Sequence, residues 1–530
     1  MGAKSTKTFS NWSENISTDL KITYCKSDQD IIRLIRKAAK AHDIIRVVGA
    51  GHSISPTVTS PRDRRIRLIS LAKYSLVPDD ILIDHEQMTV TVNAGWSLSK
   101  FYHELNKYRY FLETQPASAA FNIAGLVCTP VHGAKLGASH LSDSLLEMRL
   151  IDGNGEVVLK NRSDPDFDYY SLSLGIFGVI TSLTFKLYKR ENFKLEIETH
   201  PFPTNIAQLV PDLKVNQFFE SCIRKCLSSD SASAAEYAQC FLDLHGLKIL
   251  CLHWTETNTE GHIREYTEPE SVGKISLLES FLKTVDSGYR QSPMTLRLIG
   301  KLARHTIIQN VEYDYNSNRD LFWLSTAIRA YFMEYYIPIH SEQVQVQESL
   351  VDSSYYRDAD RSSGGSGDEN LDDPSISLEK LYAAVNVVMK AVKRAKKANK
   401  EFIPDLPCEF RFVVSSHCHL SPIYYDPDEE VKTVYLGIEI PCLAGGLGMS
   451  HHKKSTGQLN SDFLEFYAQV EAGWRALGGR PHWGKLFGVS SDLFDCQSLL
   501  GHKTQVLLNN LTTPIFLNEF AKGLLGMSPE

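Results

Sequence analysis

Glu409 and Arg411 stand two residues apart in Glu409-Phe410-Arg411-Phe412-Val413-Val414, an aromatic and β-branched run that reads as a strand. Side chains alternate across a strand, so this spacing puts carboxylate and guanidinium on one face. Such a carboxylate can orient a hydroxyl or take its proton, while the guanidinium holds it ionised and binds the same oxygen. A purely structural ion pair satisfies the spacing equally well. Lys485 poses a similar choice. Trp483-Gly484 before it offer an aromatic wall and a small residue, beside which an ammonium can enter a dry site; an ordinary surface lysine is the alternative. Glu334, in Phe332-Met333-Glu334-Tyr335-Tyr336, is either a pocket acid or a residue at the edge of the core. His52 ends the extended apolar run from Ile44 to Val48 and the loop Gly49-Ala50-Gly51-His52-Ser53, where the chain can carry an imidazole against a bound cofactor.

These residues need elements to hold them. Ser27 to Asp30 has the form of a capping box, and Ile31, Leu34, Ile35, Ala38 and Ala39 follow at helical spacing to about His42. Helix, strand and glycine turn can bring backbone N–H groups to a diphosphate, because glycine has no side chain in the way. The usual dinucleotide fingerprint is absent: Ile54 stands where a third glycine would be, and Pro56 opposes an immediate helix. A plain tight turn also fits the loop alone. Further glycine turns follow. Ile83-Asp84 and Met88 to Val92 form a predicted hairpin; Asn122 to Gly133 is rich in small residues, with Gly125, Thr129, His132 and Gly133; a second hairpin turns at Gly153-Asn154-Gly155; and Gly175 to Thr181 contains Gly178, Val179 and Ile180. In the second of these segments the chain can pass close to a flat ring, with Thr129 and backbone N–H groups as donors. Such loops between short strands point to a large cofactor threaded between sheets.

Composition narrows the classes. The chain has 530 residues, enough for two or more cores, with 43% hydrophobic and 22% charged residues, as in an ordinary globular protein. A net charge of -7 argues against nucleic acid as a partner, and the basic stretch Lys393 to Lys400 lies at a predicted helix end, where cations complement the dipole. Ten cysteines without a CxxC pair suggest neither a disulfide scaffold nor a metal site. No apolar run approaches the roughly 20 residues that span a bilayer, and the expected location is the cytoplasm. Met1-Gly2-Ala3-Lys4-Ser5-Thr6 fits the loose glycine-acylation pattern, which would add only a weak membrane tether.

Taken together, Asn11-Trp12, Gly49 to Ser53, Ala124-Gly125, His132-Gly133, Gly175 to Thr181, Met333-Glu334-Tyr335, Glu409 to Phe412, Leu420-Ser421-Pro422 and Pro481 to Lys485 resemble the vanillyl-alcohol-oxidase-type FAD proteins, and most of all their aldonolactone oxidase and alditol oxidase branch. The likeness runs along nearly the whole chain. It implies an α+β fold: a two-part FAD-binding domain over 12–190, an α+β substrate-binding cap over 191–479 with a flexible insertion near 342–374, and a segment 480–530 returning to the FAD domain and active site. It implies FAD bonded to His52 through the 8α-methyl carbon, with tight non-covalent FAD as the alternative, and a flavin contact or supporting role for His482. It also implies oxidation of a CH–OH group in a small polyhydroxylated substrate, hydride passing to flavin N5 and oxygen becoming hydrogen peroxide. An aldonolactone leads; an alditol, a dehydrogenase with another acceptor, and a non-catalytic binding protein remain. Two residues depart from the family pattern. Glu439 falls roughly where relatives carry a histidine that accepts the alcohol proton, and Phe487 stands where many carry a polar residue. Cys128 lies in a flavin-contacting segment but reads as a buried structural thiol.

Overall fold

In the computed structural model the helix predicted after Ser27 runs from Asp28 to Ala41 and buries Ile31, Ile35 and Ala38, one stripe of a 3.6-residue period. Ser27 occupies the N-cap in extended conformation, but its side chain makes no capping bond; Asp30 Oδ2 accepts from the Lys26 amide at 3.0 Å instead. The structure describes residues 8–60, 62–63, 65–116, 118–189, 191–202, 213–228, 235–258, 292–312, 330–343, 376–400, 402–426, 431–443, 461–489 and 503–527. The acylation pattern at the N-terminus and nearly all of the insertion near 342–374 lie outside these residues.

The helix leads into strand Ile44–Val47, which pairs in parallel with Ile66–Ser70; that strand pairs in parallel with Ser17–Tyr24. A short antiparallel strand, Thr8–Ser10, closes this sheet. The glycine loop therefore leaves the carboxyl end of a parallel strand, the edge at which open α/β sheets place ligands. A second, antiparallel sheet carries the expected hairpins: Ile81–Asp84 with Thr89–Asn93, and Leu145–Ile151 with Val157–Asn161, joined through Val179–Lys186.

A third, seven-stranded antiparallel sheet is ordered Asn192–Pro201, Lys248–Thr257, Glu236–Asp243, Cys408–Val414, Val431–Leu443, Ala330–Gln343 and Arg480–Pro481. One face packs under helices Leu213–Leu227, Glu379–Lys397 and Ser461–Ala476, burying Met333, Tyr335, Phe410, Phe412, Leu436 and Ile438. Leu381, Tyr382, Val385 and Val388 are the buried stripe of the middle helix, while Lys393 and Arg394 at its end are exposed. The residues between the buried ones necessarily face the other way. The chain's end packs back on its beginning: Arg46 donates to Phe516 O at 2.7 Å, and Asn518 Nδ2 donates to Pro56 O at 3.1 Å. This α+β architecture agrees with the class expected from sequence. Among the described residues no helix is long and apolar enough to cross a membrane, and no group of His, Cys, Asp and Glu could hold a metal ion.

Candidate active site

The loop Gly49 to Ser53 is held by its carbonyls. Trp12 N donates to Gly51 O at 2.7 Å, and Asn11 Nδ2 donates to Ser53 O at 2.9 Å. With those oxygens engaged, five consecutive N–H groups, Gly49 to Ser53, have no acceptor among the described residues. Gly49 and Ala50 are exposed although Ile45, Arg46 and Val48 just before them are buried. A run of unpaired amides at a strand's carboxyl end is a concave anion site. Gly125, exposed between buried Ile123 and Leu126, and Gly175, at φ +69°, have nothing within 4 Å of where a Cβ would stand. Donors for a diphosphate and open space beside small residues are what FAD requires, so the residues present fit it.

His52 follows directly. Its ring lies 5.1 Å from Trp12 and edge-on to Phe121 at 4.7 Å. Burial, aided by the Lys485 charge, pushes its pKa down to about 4, so the imidazole is neutral at physiological pH. Neither ring nitrogen has a hydrogen-bond partner among the described residues.

The carboxyl-terminal wall meets this loop. Ile54 N donates to Gly484 O at 2.8 Å, Ser55 Oγ bonds Trp483 O, and Leu486 N donates to Phe332 O at 2.8 Å. Lys485 is thereby carried over the seven-stranded sheet, with Nζ 2.9 Å from Glu439 Oε2 and 4.4 Å from the Phe332 ring centre. Phe332 stacks on Trp12 at 6.3 Å, which completes a ring path from His52 to Lys485.

On the open face of the sheet three carboxylates lie in register across adjacent strands: Glu334 opposite Glu439, and Glu439 opposite Glu409. Each has a cationic or basic neighbour. Glu334 Oε1 is 2.6 Å from His132 Nε2, Glu439 meets Lys485, and Glu409 Oε1 is 2.5 Å from Arg411 Nη2. Burial alone would raise the Glu334 carboxyl, but the His132 hydrogen bond and the positive potential from the His132, His482 and Lys485 side hold it well below the ordinary value. At Glu439 burial dominates; Glu334 and Glu409 reinforce it against Lys485, and its pKa rises to about 8. Lys485 loses solvation, yet the surrounding carboxylates raise its pKa and keep it charged. Burial pushes His482 down to about 3, and its Nδ1 accepts from Gly484 N at 3.0 Å.

The structure thus gathers His52, Glu334, Glu409, Arg411, Glu439, Lys485, His132 and His482 into one continuous region. Two expectations, the Trp483 wall and the Thr129 donor, need correction. Trp483 is not a cavity wall: it is fully buried, and its Nε1 donates to Leu420 O at 2.6 Å. The aromatic ring beside Lys485 is Phe332. The Thr129 hydroxyl is spent on Gly125 O at 2.9 Å and is not a spare donor. Gly133 and Gly178 are required by backbone crowding, since a Cβ would stand 2.5 Å from Gln115 O or Ile151 O. Val179 and Ile180 have buried side chains in the core. Phe487 packs against Trp483 and Phe520. Cys128 is a free thiol whose pKa burial pushes up to about 11, as a structural cysteine requires.

Two contributors were not legible in the sequence. Gln239, buried on the open sheet face, donates from Nε2 to Glu409 Oε1 at 2.6 Å. Arg46 donates to Phe516 O, Thr57 O and Leu174 O at 2.6–2.7 Å, fastening three segments beneath the loop. The isolated polar residue in Tyr237-Ala238-Gln239-Cys240-Phe241 and the charge in Ile45-Arg46-Val47 were the available signals.

Comparison with known proteins agrees with this geometry. Residues 20–159 match the FAD binding domain family, and residues 370–497 match the D-arabinono-1,4-lactone oxidase family. In these two segments the chain is similar to FAD-linked aldonolactone oxidases. It is 27% identical to D-arabinono-1,4-lactone oxidase of Candida glabrata over 38% of this chain and 39% of that protein. It is 29% identical to L-gulono-1,4-lactone dehydrogenase of Mycobacterium tuberculosis over 33% and 40%. These matches span about two fifths of each relative's length. Mouse L-gulonolactone oxidase is 21% identical over 97% of both chains. Cholesterol oxidase from B. sterolicum shares the fold, with a TM-score of 0.70 and 17% identity over 98% of this chain and 97% of its own.

Proposed function

We propose that this protein oxidises a CH–OH group of an aldonolactone, with oxygen as acceptor and hydrogen peroxide as product. The carrying observation is the cluster of Glu409, Glu439 and Lys485, joined to His52 through the Trp12 and Phe332 rings. Gln239 and Arg411 both engage Glu409 Oε1, and Lys485 engages Glu439 Oε2. The second oxygen of each carboxylate has no partner among the described residues, which suits a substrate bearing adjacent hydroxyls.

Bound FAD would accept the hydride leaving the carbinol carbon. Glu409 orients a substrate hydroxyl. Glu439 takes the proton of the reacting hydroxyl, a task suited to a base with affinity near neutrality. Lys485 and Arg411 favour the developing alkoxide by charge. Gly49 to Ser53 supply amides for the diphosphate, and His52, neutral and with both nitrogens unengaged, is the point of covalent attachment. Open space beside Gly125 supports access of oxygen. Cytoplasmic residence accords with the free thiols, including Cys240 and Cys251, whose sulfurs lie 3.8 Å apart.

Anaerobic mixing with a panel of lactones and alditols tests the reading by bleaching of the flavin band. A lactone is expected to bleach it fastest, with air restoring the colour. Lys485→Ala is expected to slow bleaching about 100-fold or more while FAD stays bound. Bleaching by no lactone, or equal rates in the variant, would reject the assignment. Acid precipitation is expected to leave the colour with the protein; colour in the supernatant rules out the His52 bond.

A further inference from the structure

We propose that Glu334 is a positioning residue that governs proton transfer at Glu439 from the neighbouring strand, through its charge and without touching substrate. The inference rests on Glu439 being the proton acceptor.

The geometry comes from the sheet. Glu334 and Glu439 are direct cross-strand partners, as are Glu439 and Glu409, so Glu439 has a carboxylate on either side. Side chains so paired stand about 5 Å apart at their Cβ atoms, and like charges at that distance resist simultaneous ionisation. The outer two are committed. Glu334 is held by His132 at 2.6 Å and Glu409 by Arg411 and Gln239. The middle carboxylate has only Lys485, whose ammonium also lies over the Phe332 ring. Glu439 is therefore the member of the row that most readily carries a proton.

The carboxylates acting on Glu439 are Glu334 and Glu409. Glu439 meets Glu334 from strand Ala330–Gln343, Glu409 and Arg411 from strand Cys408–Val414, and Lys485 from the turn after Arg480–Pro481. His132 and His482 lie behind Glu334, and Tyr336, a phenol on the same face, keeps its proton because burial pushes its pKa far up. Glu334 itself is buried, with its carboxylate turned to His132, so it acts by charge on Glu439 and Lys485 and not by contact with substrate.

Losing a negative neighbour stabilises the ionised form of Glu439 and moves its titration to lower pH. The test compares the acid limb of the pH profile of flavin reduction in wild type, Glu334→Gln, Glu334→Asp and Glu439→Gln. Infrared difference spectra of the resting holoenzymes give a second readout, the protonated-carboxyl stretch. Glu334→Gln is expected to move the limb and the loss of the carboxyl band down by about one pH unit or more. Glu334→Asp, which keeps the charge, is expected to leave both nearer wild type. Glu439→Gln is expected to abolish both. If Glu439→Gln leaves the limb in place, the underlying assignment of Glu439 as acceptor fails. If it abolishes the limb but Glu334→Gln does not move it, or Asp moves it as far as Gln does, control by the Glu334 charge is overturned.

Discussion

The two faces of the seven-stranded sheet are built from the same strands and obey opposite rules. Beneath the helices, Met333, Tyr335, Phe410, Phe412 and Ile438 are apolar and packed, and each answers to volume. One residue along each strand, Glu334, Glu409, Arg411 and Glu439 lie on the open face and answer to charge. Polar groups survive burial there because each is paired. The difference teaches that one-residue alternation alone separates stability from chemistry within a strand such as Cys408–Val414.

Substitutions at adjacent residues test that contrast. Phe410→Ala empties a fully buried site on the helix-covered face, and its expected cost is about 3–5 kcal/mol of unfolding free energy. The variant, when loaded with FAD and below its melting range, is expected to be reduced at close to the wild-type rate. Thermal unfolding and stopped-flow reduction of one preparation check both halves. Glu409→Gln is the converse. The amide still accepts from Arg411, so the expected stability loss is below that of Phe410→Ala, while reduction falls about 100-fold. Reversed rankings would show that the faces are not separate in function.

The smallest effect concerns pH. The Glu439 pKa is raised from the ordinary carboxyl value of 4.5 to about 8, so the folded protein holds that proton more tightly than the unfolded chain. Stability from this group is fully present below about 4.5 and is lost as pH rises towards about 8. Glu439→Gln cannot titrate and lacks that loss. Its melting temperature relative to wild type is expected to improve across this window, and a constant difference would contradict the raised affinity.

Much of this was readable from the chain. The strand holding Glu409 and Arg411 followed from its period, and the helix before His52 from its apolar stripe. Glu439 could be suspected from sequence but not aligned, because the polar excursion over 424–430 intervenes before its strand; cross-strand register sets it opposite Glu409. Trp483 illustrates the opposite error. Its neighbours suggested an aromatic wall, but an indole N–H with a carbonyl in reach and room in the core is more stable buried.

What the sequence determined by itself were the local periodicities, the glycine turn carrying His52 and the motifs of an FAD-linked protein, since these depend on neighbours in the chain. Tertiary structure alone decided which charges meet. Glu334 and Glu409 are 75 residues apart in sequence yet flank one carboxylate, and Gln239 reaches Glu409 across 170 residues. Strand order and register fix such pairings, and no short window of sequence encodes either.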